Sequence, residues 1–292
     1  MLNLPLVPPT ALTYFAALVA EDDDFALLEA AICVAHDDHP GLDVQTVLAD
    51  IDRLAARLKS RLPADAPALR RLQALNQYFF GELGFAGNVN NYYDRRNSHL
   101  HEVLASRRGI PITLALLYCE LAGQIGLTAR GVSFPGHFLV KLHMSQGEVV
   151  VDPVSGRSLS RDELDERLAP YRARHGLAGD FETPLGLFLQ AAPPRDMLAR
   201  LLFNLKEIHR ADEDWPRLLA VQQRLVLVLP QAAEQLRDRG LTWAELGHDA
   251  EAARDLASYL AARPDAGDAA ALRDRLAELR RGALPGSGWP GA

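Results

Sequence analysis

Thiols are scarce in this sequence, with two cysteines, Cys33 and Cys119, among 292 residues. They lie far apart, each inside an apolar helical pattern. This argues against a disulfide framework or a cysteine-based metal site and fits a reducing compartment. No run reaches about 18 uninterrupted apolar residues, so no membrane-spanning helix is expected. The start, Met1-Leu2-Asn3-Leu4-Pro5, has no positive charge ahead of an apolar segment, so no secretory leader is expected and the cytoplasm is the expected location. Basic charge is short too. The 31 Lys and Arg against 38 Asp and Glu leave a formal charge of −7. No Lys/Arg cluster recurs on one helix face, which argues against a nucleic-acid or anionic-membrane partner. What is plentiful is apolar side chain, 48% of the chain. That suffices for two domains, or for one with an appendage.

Helical periodicity dominates. Thr10 can cap a first helix through about Ala20, and Glu21-Asp22-Asp23-Asp24 suits the positive end of the next. Phe25, Leu28, Ala31, Ile32 and Ala35 form an apolar stripe that stops before Pro40 and Gly41. Val44 to Leu58 and Leu69 to about Glu82 continue the same period. Gly84 to Asn91 reads as a loop. With Asn90, Tyr92, Tyr93 and Asn97 following or within it, the segment is expected to line a cleft.

Pro111 occupies a position where a helix tolerates proline in its first turn. From Ile112 to Ile125 nearly every face is apolar, which predicts a central buried helix closed by Gly126. Residues 129–134, 138–144 and 148–152 then alternate or are β-branched, predicting three short antiparallel strands. His137 is expected to start the second and Asp152 to end the third, side by side.

The order of Gly109-Ile110-Pro111 at a helix start, Gly126 to Arg130, Gly136-His137-Phe138-Leu139-Val140 and Val151-Asp152-Pro153 resembles the transglutaminase-like superfamily. With Tyr92-Tyr93-Asp94 and Asn97-Ser98 ahead of it, the chain looks most like the bacterial SirB-type branch, over roughly residues 25 to 280. The resemblance implies an α+β, mostly helical fold: a helical N-terminal region, a transglutaminase-like (papain-like) core with a small antiparallel sheet on a central buried helix, and a helical C-terminal region. It also implies a Cys/His/Asp site in catalytic members. Carried over, the His is His137 and the Asp is Asp152. The cysteine position falls at about Pro111, and none of Ile110, Pro111, Ile112 and Thr113 is a thiol.

A thiolate at a helix start is stabilised by the dipole and a neighbouring imidazolium, and proline offers no such group. Cys119 lies eight residues on, about 12 Å along the axis, too far to stand in. Thr113 and Ser98 are weak candidate nucleophiles whose plainer roles are backbone hydrogen bonds and a turn. His99 and His101, two apart at a helix start, should diverge by about 200°. A metal site built from His137, Asp152 and His101 or Glu102 is conceivable, but no His-x-x-x-His or Cys-x-x-Cys spacing supports it, so no metal site and no cofactor are expected.

Ser160-x-x-Glu163 is a capping box for a short helix from Arg161 to about Leu168. Residues 170–194 read as a connector with a short apolar element near Leu185 to Leu189. Beyond it, Pro230 and Pro264 stand 34 residues apart, the period of tetratricopeptide helix pairs. Gly240, Trp243, Gly247 and Ala252 fit that pattern, whereas the preceding unit has Lys206 in place of the glycine. The expected domains are 1–192 (helical 1–83, core 84–192) and repeats over 193–282, with 283–292 a disordered tail.

The preferred reading is a non-catalytic, regulatory binding protein, a pseudoenzyme whose cleft (His137, Asp152, Asn90, Tyr92, Tyr93, Asn97 and Pro111) holds a ligand and whose repeats recruit a protein or peptide partner. The alternative is an unorthodox hydrolase or acyltransferase using Ser98, Thr113 or a water, with His137 as base and Asp152 orienting it.

Overall fold

The computed structural model describes residues 10–21, 25–145, 147–177 and 183–282. These fall into two units, one spanning 20–201 and the other formed by 10–19 with 202–282. The expected disordered tail and Asp22 to Asp24 of the acidic run lie outside the described residues. Helix α1 (Ala11–Leu18) is capped by Thr10, whose hydroxyl accepts from the Thr13 N–H at 3.1 Å. The sequence places this helix with the first domain. Its contacts are instead with the helix Trp215–Val228 of the second unit, where Phe15 is fully buried and the Arg224 guanidinium sits 5.4 Å from its ring. Eight residues cannot hold a helix alone, so it goes where an apolar partner is available.

In the larger unit, α2 (Leu27–Cys33) ends in a 3₁₀ turn, and α3 (Val44–Lys59) is capped by Asp43, which accepts from Gln45 and Thr46 N–H. The helix expected from Leu69 to Glu82 is α4 (Ala68–Asn76) followed by a π turn, Gln77–Glu82. The stretch expected to be wholly loop contains β1 (Ala86–Gly87). After α5 (Leu100–Ser106), β1 pairs in parallel with β2 (Arg108–Gly109), directly ahead of α6 (Pro111–Gln124). Every α6 residue from Pro111 to Tyr118 is buried, as is Leu121, the central helix that the all-round apolar pattern predicts. Gly126 ends it at φ +77°, a left-handed position suited to glycine, and Arg71 donates to the Ile125 carbonyl at 2.8 Å.

The sheet has the order β3 (Thr128–Val132), β4 (Leu139–Met144), β5 (Gly147–Val151), β6 (Ser158–Leu159), antiparallel throughout. The fourth strand is an addition to the three that alternation predicts. One face, through Val132, Leu139 and Val150, packs on Leu164 and Leu168 of α7 (Arg161–Arg174) and on Leu185 of α8 (Leu185–Phe188). The other carries buried Val140, Leu142 and Val151, and α6 lies against β3 and β4. Helix α7 runs six residues past its expected end and includes Pro170. Burial of Leu168 and packing of Tyr171 on the same cluster offset the hydrogen bond that proline removes.

Helix α9 (Pro194–Ala211) contains the boundary between the units. The smaller unit continues with α10 (Trp215–Val228), α11 (Ala233–Glu245), α12 (Asp249–Ala262) and α13 (Ala269–Gly282), each contacting the next. A Cβ on Gly240 would meet Leu256 at 3.1 Å, so the glycine lets α11 and α12 approach closely. Lys206, at the equivalent point of the preceding pair, is buried and donates to Gln235 at 2.9 Å and Asp238 at 2.6 Å.

Candidate functional site

Neither His137 nor Asp152 lies inside a strand. His137 stands two residues before β4 and Asp152 one residue after β5. Val140 pairs with Val151, so the two ends run side by side. The Phe134 carbonyl, accepting from the His137 N–H at 3.0 Å, fixes the turn through Gly136. His137 Nε2 then lies 3.0 Å from Asp152 Oδ1. With the Nε2 proton donated to the carboxylate, Nδ1 carries the lone pair.

Asp152 is buried, and its charge is supported from several sides. Oδ1 also accepts from the Val154 N–H at 3.0 Å, and Arg167 Nη1 is 3.5 Å from Oδ2. Burial alone would raise its carboxyl. The hydrogen bonds from His137 and Val154, with the charges of His137 and Arg167, outweigh burial and hold it at about 2. The carboxylate is therefore a permanent acceptor for His137 at neutral pH.

The start of α6 is tied to this dyad by a short bridge. The Val154 carbonyl accepts from Gly87 N–H at 3.2 Å, Gly87 pairs with Gly109 across β1 and β2, and Gly109 precedes Ile110 and Pro111. Arg167, Val154 and Gly87 carry no spacing signal that sequence reasoning could use. Val154 and Gly87 act through backbone groups, and Arg167 arrives from α7.

At the start of α6, Ile110 is the N-cap and Pro111 the first helical residue. Thr113 is fully buried. Its hydroxyl accepts from Ile110 N–H at 3.1 Å and is 2.9 Å from the Asn97 carbonyl and 3.0 Å from that of Ile110. Ser98 is fully buried at the end of a 3₁₀ turn, Arg95–Ser98. Among the described residues no hydroxyl is hydrogen-bonded to the His137 ring. Cys119 retains some solvent contact as a residue, yet burial pushes its thiol up to about 12, with Arg130 pulling the other way.

The Asn/Tyr segment divides by role. Asn97 is buried and holds the loop, donating to Asn91 O at 2.7 Å and Tyr92 O at 3.1 Å and accepting from Asn88 at 3.0 Å. Asn90, Tyr92 and Tyr93 are exposed, as is Val89 at 82%. The expectation that His99 and His101 diverge is wrong. Their rings are 6.0 Å apart and near-parallel at 13°, because His99 is the extended N-cap of α5 rather than a helical residue.

The family description of the transglutaminase-like superfamily matches residues 45–203, and that of the tetratricopeptide repeat matches residues 205–277. A UPF0162 protein of Xylella fastidiosa (strain Temecula1) is 36% identical over 260 residues, covering 89% of this chain and 92% of its own length. A UPF0162 protein of Pseudomonas aeruginosa is 30% identical over 254 residues, covering 87% of this chain and 91% of its own length. The UPF0162 protein YchA of Escherichia coli K12 is 25% identical over 225 residues, 76% of this chain and 80% of its own. No solved structure matches the chain.

Proposed function

The chain belongs to the UPF0162 family, with a transglutaminase-like domain followed by tetratricopeptide repeats, and from that footing we propose that it is a non-catalytic, regulatory binding protein of the cytoplasm. The observation that carries this reading is the start of α6. Pro111 stands where a nucleophile is needed, the one hydroxyl of that turn is spent on Ile110 and Asn97, and the Cys119 thiol is pushed far above neutrality. The dyad then serves to recognise a ligand. His137, with its side chain 26% exposed, offers one ring nitrogen, oriented by a fixed carboxylate.

Exposed Val89, Tyr92 and Tyr93, on the loop that begins at the Gly87 bridge, supply apolar and aromatic contact area of the kind that anchors peptides. The repeats supply a second surface for a protein or peptide, with Leu241 of α11 39% exposed.

The test is affinity capture with the intact chain. Truncation near 192 would remove α10, against which α1 packs, so point variants are the cleaner tool. Wild type, H137A and L241E are compared for captured peptides, small molecules and proteins. Loss of a specific ligand in H137A, or of a protein in L241E, supports the reading. If wild type and both variants hold the same background set, the protein is not a binding module of this kind.

A further inference from the structure

Away from the His137 and Asp152 pair, three side chains from two distant stretches of sequence converge on one point. His39 follows the 3₁₀ turn after α2, its N–H donating to Ala35 O at 2.8 Å and its carbonyl accepting from Leu42 N–H at 2.9 Å. His101 and Glu102 are consecutive residues of α5. Glu102 Oε1 lies 3.8 Å from His39 Nε2 and 3.7 Å from His101 Nε2, and the three ligand atoms are all within 4.8 Å of one another. We propose that His39, His101 and Glu102 form a binding site for a divalent transition-metal ion of the zinc type.

The spacing is the first argument. The two nitrogen–oxygen gaps are too long for hydrogen bonds, which end near 3.2 Å. A tetrahedral ion with ligand bonds of about 2.0–2.1 Å sets neighbouring ligand atoms about 3.3–3.4 Å apart. The two nitrogen–oxygen gaps exceed that by less than about half an ångström, a closure that side-chain rotation supplies. The donor set is the second argument. Two imidazoles and one carboxylate are the ligands that zinc uses when a fourth position stays open.

The surroundings fit as well. The His39 and His101 rings stand at 80° with centroids 4.5 Å apart, turned edge to face rather than hydrogen-bonded. The His101 nitrogen that faces Glu102 is Nε2, while Nδ1 is buried with no hydrogen-bond partner among the described residues. All three side chains keep some solvent contact, leaving room for a fourth ligand. His101 also borders a cavity of about 280 Å³ whose lining includes Asp50, Arg53, Arg57 and Arg107.

The test uses the untagged full-length chain, stripped with a chelator and titrated with Co²⁺ by visible absorption, then with Zn²⁺ in competition. Wild type should take up one equivalent with the bands of a four- or five-coordinate ion, and Zn²⁺ should displace it. H39A and E102Q should each weaken binding by at least about tenfold, while H143A, at an exposed histidine of β4, should not. Circular dichroism of the metal-free variants checks that they are folded. Should H39A fail to fold, E102Q, which keeps shape and removes charge, decides the matter. No saturable uptake at one equivalent, or uptake that H143A weakens as much as H39A or E102Q does, overturns the proposal.

Discussion

His137 Nε2 lies 3.0 Å from Asp152 Oδ1, and the same oxygen accepts from the Val154 N–H. The pair sits at the mouth of a hairpin, with the carboxylate buried and the imidazole partly open. In geometry it is like the base-and-carboxylate part of a nucleophilic triad, and Ile110 and Pro111 at the start of α6 carry no thiol or hydroxyl.

Asp152 gives the first prediction. Its carboxyl is held below its unfolded value, so the charged form is favoured by folding. The stabilisation is fully present above about pH 4 and is lost as pH falls toward about 2. D152N should therefore lower stability at pH 7 by about 2 kcal/mol. The gap between variant and wild type should narrow steadily on acidification below pH 4. Urea unfolding at several pH values measures both; a gap that stays constant with pH contradicts the assignment.

Thr113 provides the second. Replacing its hydroxyl with a methyl strands the Ile110 N–H and removes the hydroxyl contact to Asn97 O in a fully buried place. T113V should cost about 1–3 kcal/mol, whereas T113S, which keeps the hydroxyl, should be milder. Equal stability of T113V and wild type in thermal unfolding would mean that the hydroxyl is not used structurally.

Gly87 gives the third. A Cβ there would run into Val154 Cγ1, beside the backbone that supports Asp152. G87A should cost about 1–3 kcal/mol and raise the Asp152 pKa as the Val154 hydrogen bond loosens. Carbon-detected NMR titration of Asp152 reads this; an unchanged midpoint would show that the bridge does not tune the dyad.

Pro111 gives the fourth. P111C places a thiol at the first position of α6, and the two native cysteines give little background, Cys33 being buried and the Cys119 thiol pushed up to about 12. If the frame is intact, iodoacetamide at pH 7 should modify P111C about tenfold or more faster than P111C combined with H137A. Equal rates would place the imidazole out of reach of the helix start.

Much of this architecture is legible in the sequence. The all-round apolar stretch after Pro111 is α6, the 34-residue offset is the α10 and α12 pair, and Gly126 ends its helix at positive φ. The His and Asp pairing follows from antiparallel alternation even though both residues sit just off the strand ends. What escaped depends on contacts that no local pattern encodes. Helix α1 packs on α10 some two hundred positions later, and the Gly87 to Val154 bridge is made of backbone groups. His99 leaves helical geometry at an N-cap, and His39 meets His101 only in three dimensions.

A formed dyad without a nucleophile has no hydrolytic activity of its own, which is read by hydrolysis of small activated esters and amides by wild type and H137A, followed side by side from pH 5 to 9. The two proteins should give the same slow background rate at every pH. A wild-type rate that exceeds that of folded H137A and follows the titration of a single group would contradict it, and would make His137 a working base.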